Sequence, residues 1–339
     1  MATIKDIAAL TNVSPTTVSN VIHGRAGRVS PETVKKIEKA IADLGYTPNL
    51  SARSLVSHSS KVIAMINHVI TKRDKNFMDD PFNASFVGII ESVLRDHGYY
   101  LMVRTVETPE ELVSFLRNWN VDGIFITGIF KDMFYDTLSN LSMPVVLIDS
   151  YVHSPNFCNV GLEDFKGSCD ATEYLIKKGH KRIAFTSPII KDKGVLQERY
   201  LGYRAALTQN KIPFDSSIVF EYEMDLDSCK SLAKELIKDP SITALVTTAD
   251  IMAAGVMTAL GQLGKKVPED LSIIGFDDML ISQMVTPALT TIHQDMHKKG
   301  QLAVEFMIDK LEKKSLSKTE VILPTSLVER ESVKDLNQS

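Results

Sequence analysis

The chain has 339 residues, 44% apolar and 24% charged, an average globular composition that excludes a disordered chain, a collagen-like fibre and a coiled-coil rod. Its three scattered cysteines, Cys158, Cys169 and Cys229, exclude a disulfide scaffold or a cysteine-rich zinc site and fit a reduced compartment. The net charge of -4 is uneven: residues 1–60 carry +3 and the remainder -7, the pattern expected of a small basic head that meets a polyanion while the acidic body does not.

Met1–Leu10 lacks the apolar core of a signal peptide, and no apolar run approaches the ~20 residues that span a bilayer, so a cytoplasmic protein is expected. Three short helices follow in order. Thr3 is a good N-cap with Asp6 at the capping-box position, and Ile4, Ile7 and Ala8 share one face. Ser14 caps a second helix with Pro15 at its first position, and Val18, Val21 and Ile22 point inward. Ser30 and Pro31 open a third, with Val34, Ile37, Ile41 and Leu44 on its core face and Gly45 as its stop. Two short helices joined by a tight turn and braced by a third make a helix-turn-helix unit. The outer face of the second helix holds Ser14, Pro15, Thr16, Thr17, Ser19 and Asn20, small or hydrogen-bonding residues suited to a major groove. The same spacing also suits a three-helix interaction module with a polar surface.

The ordered strings Ala2–Ala8, Val13–Ser19, Arg28–Thr33 and Leu44–Asn49 resemble the DNA-binding head of the lactose/galactose repressor family. That resemblance implies operator binding and extends the DNA-contacting set to His23. Residues 49–60 contain five serines and read by themselves as a flexible tether. In the family the matching segment is a hinge helix ordered by DNA, which places Ala52 and Leu55 at the minor groove, Leu55 as a wedge. Read without the resemblance, Leu55 packs onto the body.

From Lys61 onward short apolar runs alternate with helical stretches. The runs are Val62–Ile66, Tyr99–Val103, Gly123–Ile126, Val145–Ile148, Arg182–Phe185, Ile218–Phe220, Ala244–Val246 and Ser272–Ile274. The helices lie near Ala84–His97, Pro109–Asn118, Asp164–Lys178, Glu198–Asn210, Asp227–Lys238, Asp250–Leu263 and Met296–Lys313, and a last strand is expected at Val321–Leu323. This is α/β alternation with parallel sheets, too many strands for one compact sheet, and therefore two lobes. The expected division is a head at 1–47, a linker at 48–60 and a body at 61–339, with one lobe at about 61–160 and 291–320 and the other at about 161–290 and 321–333.

Ligands of such sheets sit beyond the carboxyl ends of the strands. Those positions hold Asn67, His68, Thr127, Asp149, Ser150, Thr186, Ser187, Thr247–Asp250, Asp277 and Asp278, with no glycine-rich phosphate cradle. Carboxylates and hydroxyls suit a polyhydroxylated ligand, although Asp250 and Asp278 equally suit helix caps. No G-x-S-x-G elbow is present, and His293 and His297 lack the glutamate of a zinc hydrolase motif, so neither an enzyme nor a cofactor or metal is expected.

The resemblance runs through the body to about residue 333, in Val121–Ile124, Leu175–Ile183, Glu198–Tyr203, Val267–Asp278, Pro287–Ile292 and Leu327–Ser332. It implies a periplasmic-binding-protein-like body closing on a small effector, with three strands crossing between lobes near 160, 290 and 320. Asp149, Arg199 and Asp277 match its effector-binding residues, and Asp250, His68 and Phe86 fall at pocket positions. His68 is equally a hydroxyl donor, a pH sensor or a plain solvated side chain. Departures are Ala249 for a usual Asn, and Met224 and Met296 where aromatics are expected. Thr71–Asp80 is longer than usual and reads as a charged flap. These changes leave a sugar, a purine or nucleoside, or a protein partner open as effector. The chain ends without a leucine heptad tail, so a homodimer on a roughly palindromic operator is expected.

Overall fold

A computed structural model describes residues 2–22, 27, 29–46, 59–68, 76–128, 133–152, 154–190 and 194–338. The chain divides into two compact units, Met1–Lys61 and Val62–Ser339.

In the first unit α1 spans Ile4–Thr11, α2 Pro15–Ile22 and α3 Pro31–Asp43. Each start has a local cause. Thr3 Oγ1 accepts the Asp6 amide at 3.3 Å while Asp6 Oδ2 accepts the Thr3 amide at 2.8 Å, a reciprocal box that satisfies two helix-end donors. Ser14 Oγ takes the Thr17 amide at 3.1 Å, and Ser30 Oγ takes the Thr33 amide at 3.2 Å. Asn12 ends α1 in the left-handed conformation at φ 55°, which Asn tolerates better than most residues. Ile7, Val18 and Ile37, one from each helix, are fully buried together.

The second unit holds two six-stranded sheets. The first contains β1 Val62–Asn67, β2 Tyr100–Thr105, β3 Gly123–Thr127, β4 Val145–Ile148, β5 Cys158–Leu162 and β11 Glu320–Leu323, in the order β11-β5-β4-β3-β1-β2 and parallel throughout. The second contains β6 Ile183–Ser187, β7 Val219–Glu221, β8 Ala244–Thr247, β9 Ser272–Asp277, β10 Thr290–Gln294 and β12 Thr325–Val328, in the order β12-β10-β9-β8-β6-β7. Only β12 in this sheet runs antiparallel, paired with β10. The helices are α4 Pro81–Asp96, α5 Pro109–Asn118, α6 Met133–Ser139, α7 Asp164–Lys177, α8 Val195–Gln209, α9 Leu226–Leu236, α10 Asp250–Gln262, α11 Leu280–Met284 and α12 Met296–Leu311. Both faces of each sheet are covered. Ile63 and Met65 pack on one side with Phe86, Ile90 and Met307, while Ala64 and Ile66 pack on the other with Leu112 and Phe115. That is why the strands read as unbroken apolar runs.

The lobe boundaries differ from those expected. β10 was expected at the start of the first lobe's return segment, but it pairs with β9 in the second sheet. Residues 320–323 pair with β5 in the first sheet, so the final crossing falls at Pro324. The chain therefore passes between lobes after Leu162, after Gln294 and at Pro324. The cause is packing: β10 is almost entirely buried in the second sheet despite its polar residues, while α12 packs against α4, β4 and β5. Within the long Thr71–Asp80 segment, residues 71–75 lie outside the described residues. Phe77 is buried in the core and Asp80 caps α4, while Asn76 and Asp79 are exposed, so this part of the segment is anchored to the first lobe rather than a free flap.

Candidate functional site

The head presents one candidate surface. On α2, Ser14, Pro15 and Thr16 are exposed, and Thr17, Ser19 and Asn20 are half-buried. Ser14 and Thr17 are tied to one another, Oγ to Oγ1 at 2.9 Å, by the same turn that caps the helix. Their hydroxyls thus shape the helix start, while Thr16 at its tip is exposed. His23, Ala52 and Leu55, and the hinge helix around the last two, lie outside the described residues.

The body's candidate site lies where the carboxyl ends of the two sheets meet. Asp149 follows β4 in the first lobe and Asp277 ends β9 in the second. Both carry left-handed backbones, φ 50° and 109°, a conformation costing about 1–3 kcal/mol for residues other than glycine and concentrated at ligand sites. Arg199 comes from the second turn of α8. It sits beside Asp164, the first residue of α7, because the two helices touch: a Cβ at Gly202 would lie 2.1 Å from the Phe165 carbonyl oxygen. Arg199 Nε donates to Asp164 Oδ1 at 2.8 Å, and one terminal nitrogen donates to the Thr248 carbonyl and lies 3.6 Å from Asp277 Oδ1. Its guanidinium carbon is 3.5 Å from the centre of the Phe276 ring, a cation–π contact.

The chain of polar contacts then crosses between lobes twice. Gln294, the last residue of β10, donates from Nε2 to Asp277 Oδ1 at 2.6 Å and accepts from Lys299 Nζ at 2.7 Å. Lys299, on α12, donates to Asp149 Oδ1 at 2.7 Å and Oδ2 at 2.9 Å. Tyr151, just after β4, donates its hydroxyl to Asp164 Oδ2 at 2.6 Å. Asp149, Arg199 and Asp277 are thus brought into one network, joined by Asp164, Gln294, Lys299 and Tyr151, which the strand-end pattern did not single out.

Burial sets the electrostatics. It pushes the Asp277 carboxyl well above the carboxylate range, against the pull of Arg199, and raises Asp149 against the pull of Lys299. Asp80, at the start of α4, is raised by burial too, with Arg199 opposing. Burial alone would weaken the Arg199 charge, but Asp164 and Asp277 raise its pKa and keep it cationic.

The other expected residues stand outside this network. Asp250 is fully buried, and its carboxylate accepts the Met279 amide at 2.7 Å and the Thr291 hydroxyl. It ties β10 and the chain after β9 to α10. Asp278 pairs with Arg330 and His293. Phe86 is 1% exposed and lies in the core of the first lobe; its stacked neighbour Phe82 is the ring that comes within 5.8 Å of Lys299 Nζ. Met224 is half-buried with Phe220 and Tyr222 against the core cluster that includes Leu232, Met252 and Leu289. His68 follows β1 with its ring 4.8 Å from that of Phe134. Among the described residues no group of three or more His, Cys, Asp or Glu side chains could hold a metal ion, and no helix is long and apolar enough to cross a membrane.

Comparison with known proteins agrees with this architecture. Residues 3–49 match the bacterial regulatory proteins of the lacI family, and residues 172–333 match a periplasmic binding protein-like domain. The HTH-type transcriptional repressor PurR of Vibrio atlanticus (strain LGP32) is 31% identical over 344 residues, covering 99% of this chain and 100% of that protein. The ribose operon repressor of Halalkalibacterium halodurans is 30% identical over 341 residues, covering 98% of each. The crystal structure of the lac repressor dimer bound to operator and the anti-inducer ONPF superposes with a TM-score of 0.84 at 26% identity, covering 98% of this chain and 99% of that one. A capped three-helix head, a two-lobed body and full-length similarity to repressors converge on one assignment: the chain belongs to the LacI family of bacterial transcriptional regulators.

Proposed function

We propose that this protein is a homodimeric, cytoplasmic repressor whose affinity for a roughly palindromic operator is set by a small polyhydroxylated effector bound between its lobes. Its role is regulatory rather than catalytic. The observation that carries the effector reading is the network running from Asp149 through Lys299 and Gln294 to Asp277 and Arg199, which ties the two lobes through hydrogen-bonding groups alone. A ligand hydroxyl exchanges for a partner in such a network at little cost, since each carboxylate offers several acceptor sites. A sugar is favoured over a purine because the groups gathered here are carboxylates, an amide and a guanidinium, whose hydrogen bonds suit vicinal hydroxyls.

In the head, Thr16 and Asn20, with Pro15 and Ser19, meet base edges and phosphates, while Ser14 and Thr17 hold the helix start. His23 belongs to the same DNA-contacting set, and Ala52 and Leu55 act in the minor groove. Effector binding changes how the lobes close, and operator affinity changes by as much as the effector's affinity differs between the two states.

A thermal-shift screen of the purified chain against neutral sugars, purines and nucleosides tests this. A site filled to a hundredfold above its Kd adds about 2.7 kcal/mol. A sugar that both stabilises the chain and changes operator binding is expected, with Arg199→Ala abolishing both effects while bare operator binding remains. A purine hit replaces the sugar with that ligand. No hit from any class moves the effector role to a protein partner.

A further inference from the structure

The network contains two buried cations, and Lys299 is not free to meet an incoming anion. Lys299 is fully buried in the first turn of α12. An ammonium has three N–H donors, and here three acceptors take them: both oxygens of Asp149 and Oε1 of Gln294. The helix cannot draw back easily, because its next residue, Gly300, lets it lie directly on α4; a Cβ there would fall 2.5 Å from Ile89 Cγ2. Arg199 is held through Nε by Asp164 and through one terminal nitrogen by the Thr248 carbonyl, 3.6 Å from Asp277.

Four carboxylates stand around these two cations. Asp149, Asp164 and Asp277 are in the network itself, and Asp80 lies near enough to interact electrostatically with both Arg199 and Asp277. A second observation points to a ligand. Thr248 is 1% exposed and its hydroxyl has no hydrogen-bond partner among the described residues, although its carbonyl holds Arg199. A buried hydroxyl without a partner is costly and is satisfied by a ligand that supplies one. A phosphate or carboxylate entering here finds Lys299 already spent on Asp149 and the Arg199 charge already offset by Asp164.

We propose that Lys299 is the specificity-determining residue of this site: by saturating Asp149 from within the protein it withholds its own cation from an anionic ligand and withholds Asp149 from an ammonium ligand, and so fixes the effector as an uncharged polyhydroxy molecule read by Asp277, Gln294 and Thr248. The proposal rests on the reading of this site as the effector site.

The test is calorimetric titration of the full chain with D-ribose, D-glucose and cellobiose, each compared with a phosphorylated or carboxylated counterpart such as ribose 5-phosphate, glucose 6-phosphate or cellobionate. At least one neutral sugar is expected to bind, with its anionic counterpart at least a hundredfold weaker. An anion that binds as tightly as its parent overturns the role given to Lys299 and leaves the effector reading standing. No binding by any probe overturns the effector reading for sugars, and the present inference with it. Lys299→Met provides the second arm. Freeing Asp149 is expected to weaken the neutral sugar at least tenfold and to gain affinity for D-glucosamine, whose ammonium replaces Nζ. An unchanged order of preference overturns the proposal. Lys299→Gln, which retains a donor toward Asp149, serves the same comparison if the methionine variant does not fold.

Discussion

Asp250 and Arg199 are both buried and charged by composition, yet burial has opposite outcomes for them. Arg199 keeps its charge because Asp164 and Asp277 flank it. Among the described residues Asp250 pairs directly with no cation; its partners are an amide and a hydroxyl, and burial, only partly opposed by these and by Arg330, pushes its carboxyl up to about 7 from an ordinary 3.8. Between those two values the native state holds a proton that the unfolded chain has released. Stability from this group is therefore fully present below about pH 4 and is lost as pH rises to about 7, at up to about 1.4 kcal/mol per unit. Asp250→Asn, which cannot titrate, is expected to show a flatter dependence of Tm on pH over that window. The gap between the two proteins should change between pH 4 and 7 and level off above it. A constant gap would mean that Asp250 is ionised in the native state at all these pH values.

Among the elements, α2 separates capping from recognition within a few residues. Ser14 Oγ takes the Thr17 amide and touches the Thr17 hydroxyl, so Ser14→Ala is expected to destabilise the head by about 1 kcal/mol, the usual worth of an N-cap. Thr16 is exposed beside it, so Thr16→Ala is expected to leave the melting transition unchanged and to weaken operator binding by about 1–3 kcal/mol, the worth of a base contact. Fluorescence anisotropy on operator DNA, alongside thermal melts, separates the two; equal losses of stability would remove the distinction. The caps and apolar runs that define these elements are local signals, and the head helices and most sheet strands were legible from them. The strands that cross between lobes were not legible from periodicity. Cys158–Leu162 contains Asn159 and Gly161, and Thr290–Gln294 has only Ile292 as an apolar residue, although both are buried. Their burial comes from position in the sheet, and only the family resemblance placed strands near them. The site was half legible for the same reason. Asp149 and Asp277 follow recognisable apolar runs, whereas Gln294 ends one of the unread strands. Lys299 lies in a helix whose other lysines are exposed or half-buried, and nothing local distinguishes it from them.

For the whole molecule, the consequence of this arrangement is that the lobes are joined by three chain crossings and, through space, by Tyr151 to Asp164 and Lys299 to Gln294. Any effect of an effector on DNA affinity requires that it favour one lobe arrangement over another. Tyr151→Phe removes one inter-lobe hydrogen bond without touching Lys299, Asp277 or Arg199, and it keeps the ring. A hydrogen bond to a charged acceptor is worth about 1.5–3 kcal/mol, so the variant is expected to shift the balance between arrangements about tenfold or more. Coupling is reciprocal, so operator DNA must change effector affinity by the same factor by which effector changes operator affinity. Calorimetric titration of effector into the protein, with and without saturating operator, gives that factor, and repeating it with Tyr151→Phe gives the change. If the bond holds the lobes in the arrangement seen here, both effector affinity and coupling move together while operator binding by the effector-saturated protein stays fixed. A Tyr151→Phe protein with unaltered coupling would instead assign the inter-lobe connection to Lys299 and Gln294 alone, since these are the other through-space hydrogen bonds described between the strand ends of the two lobes.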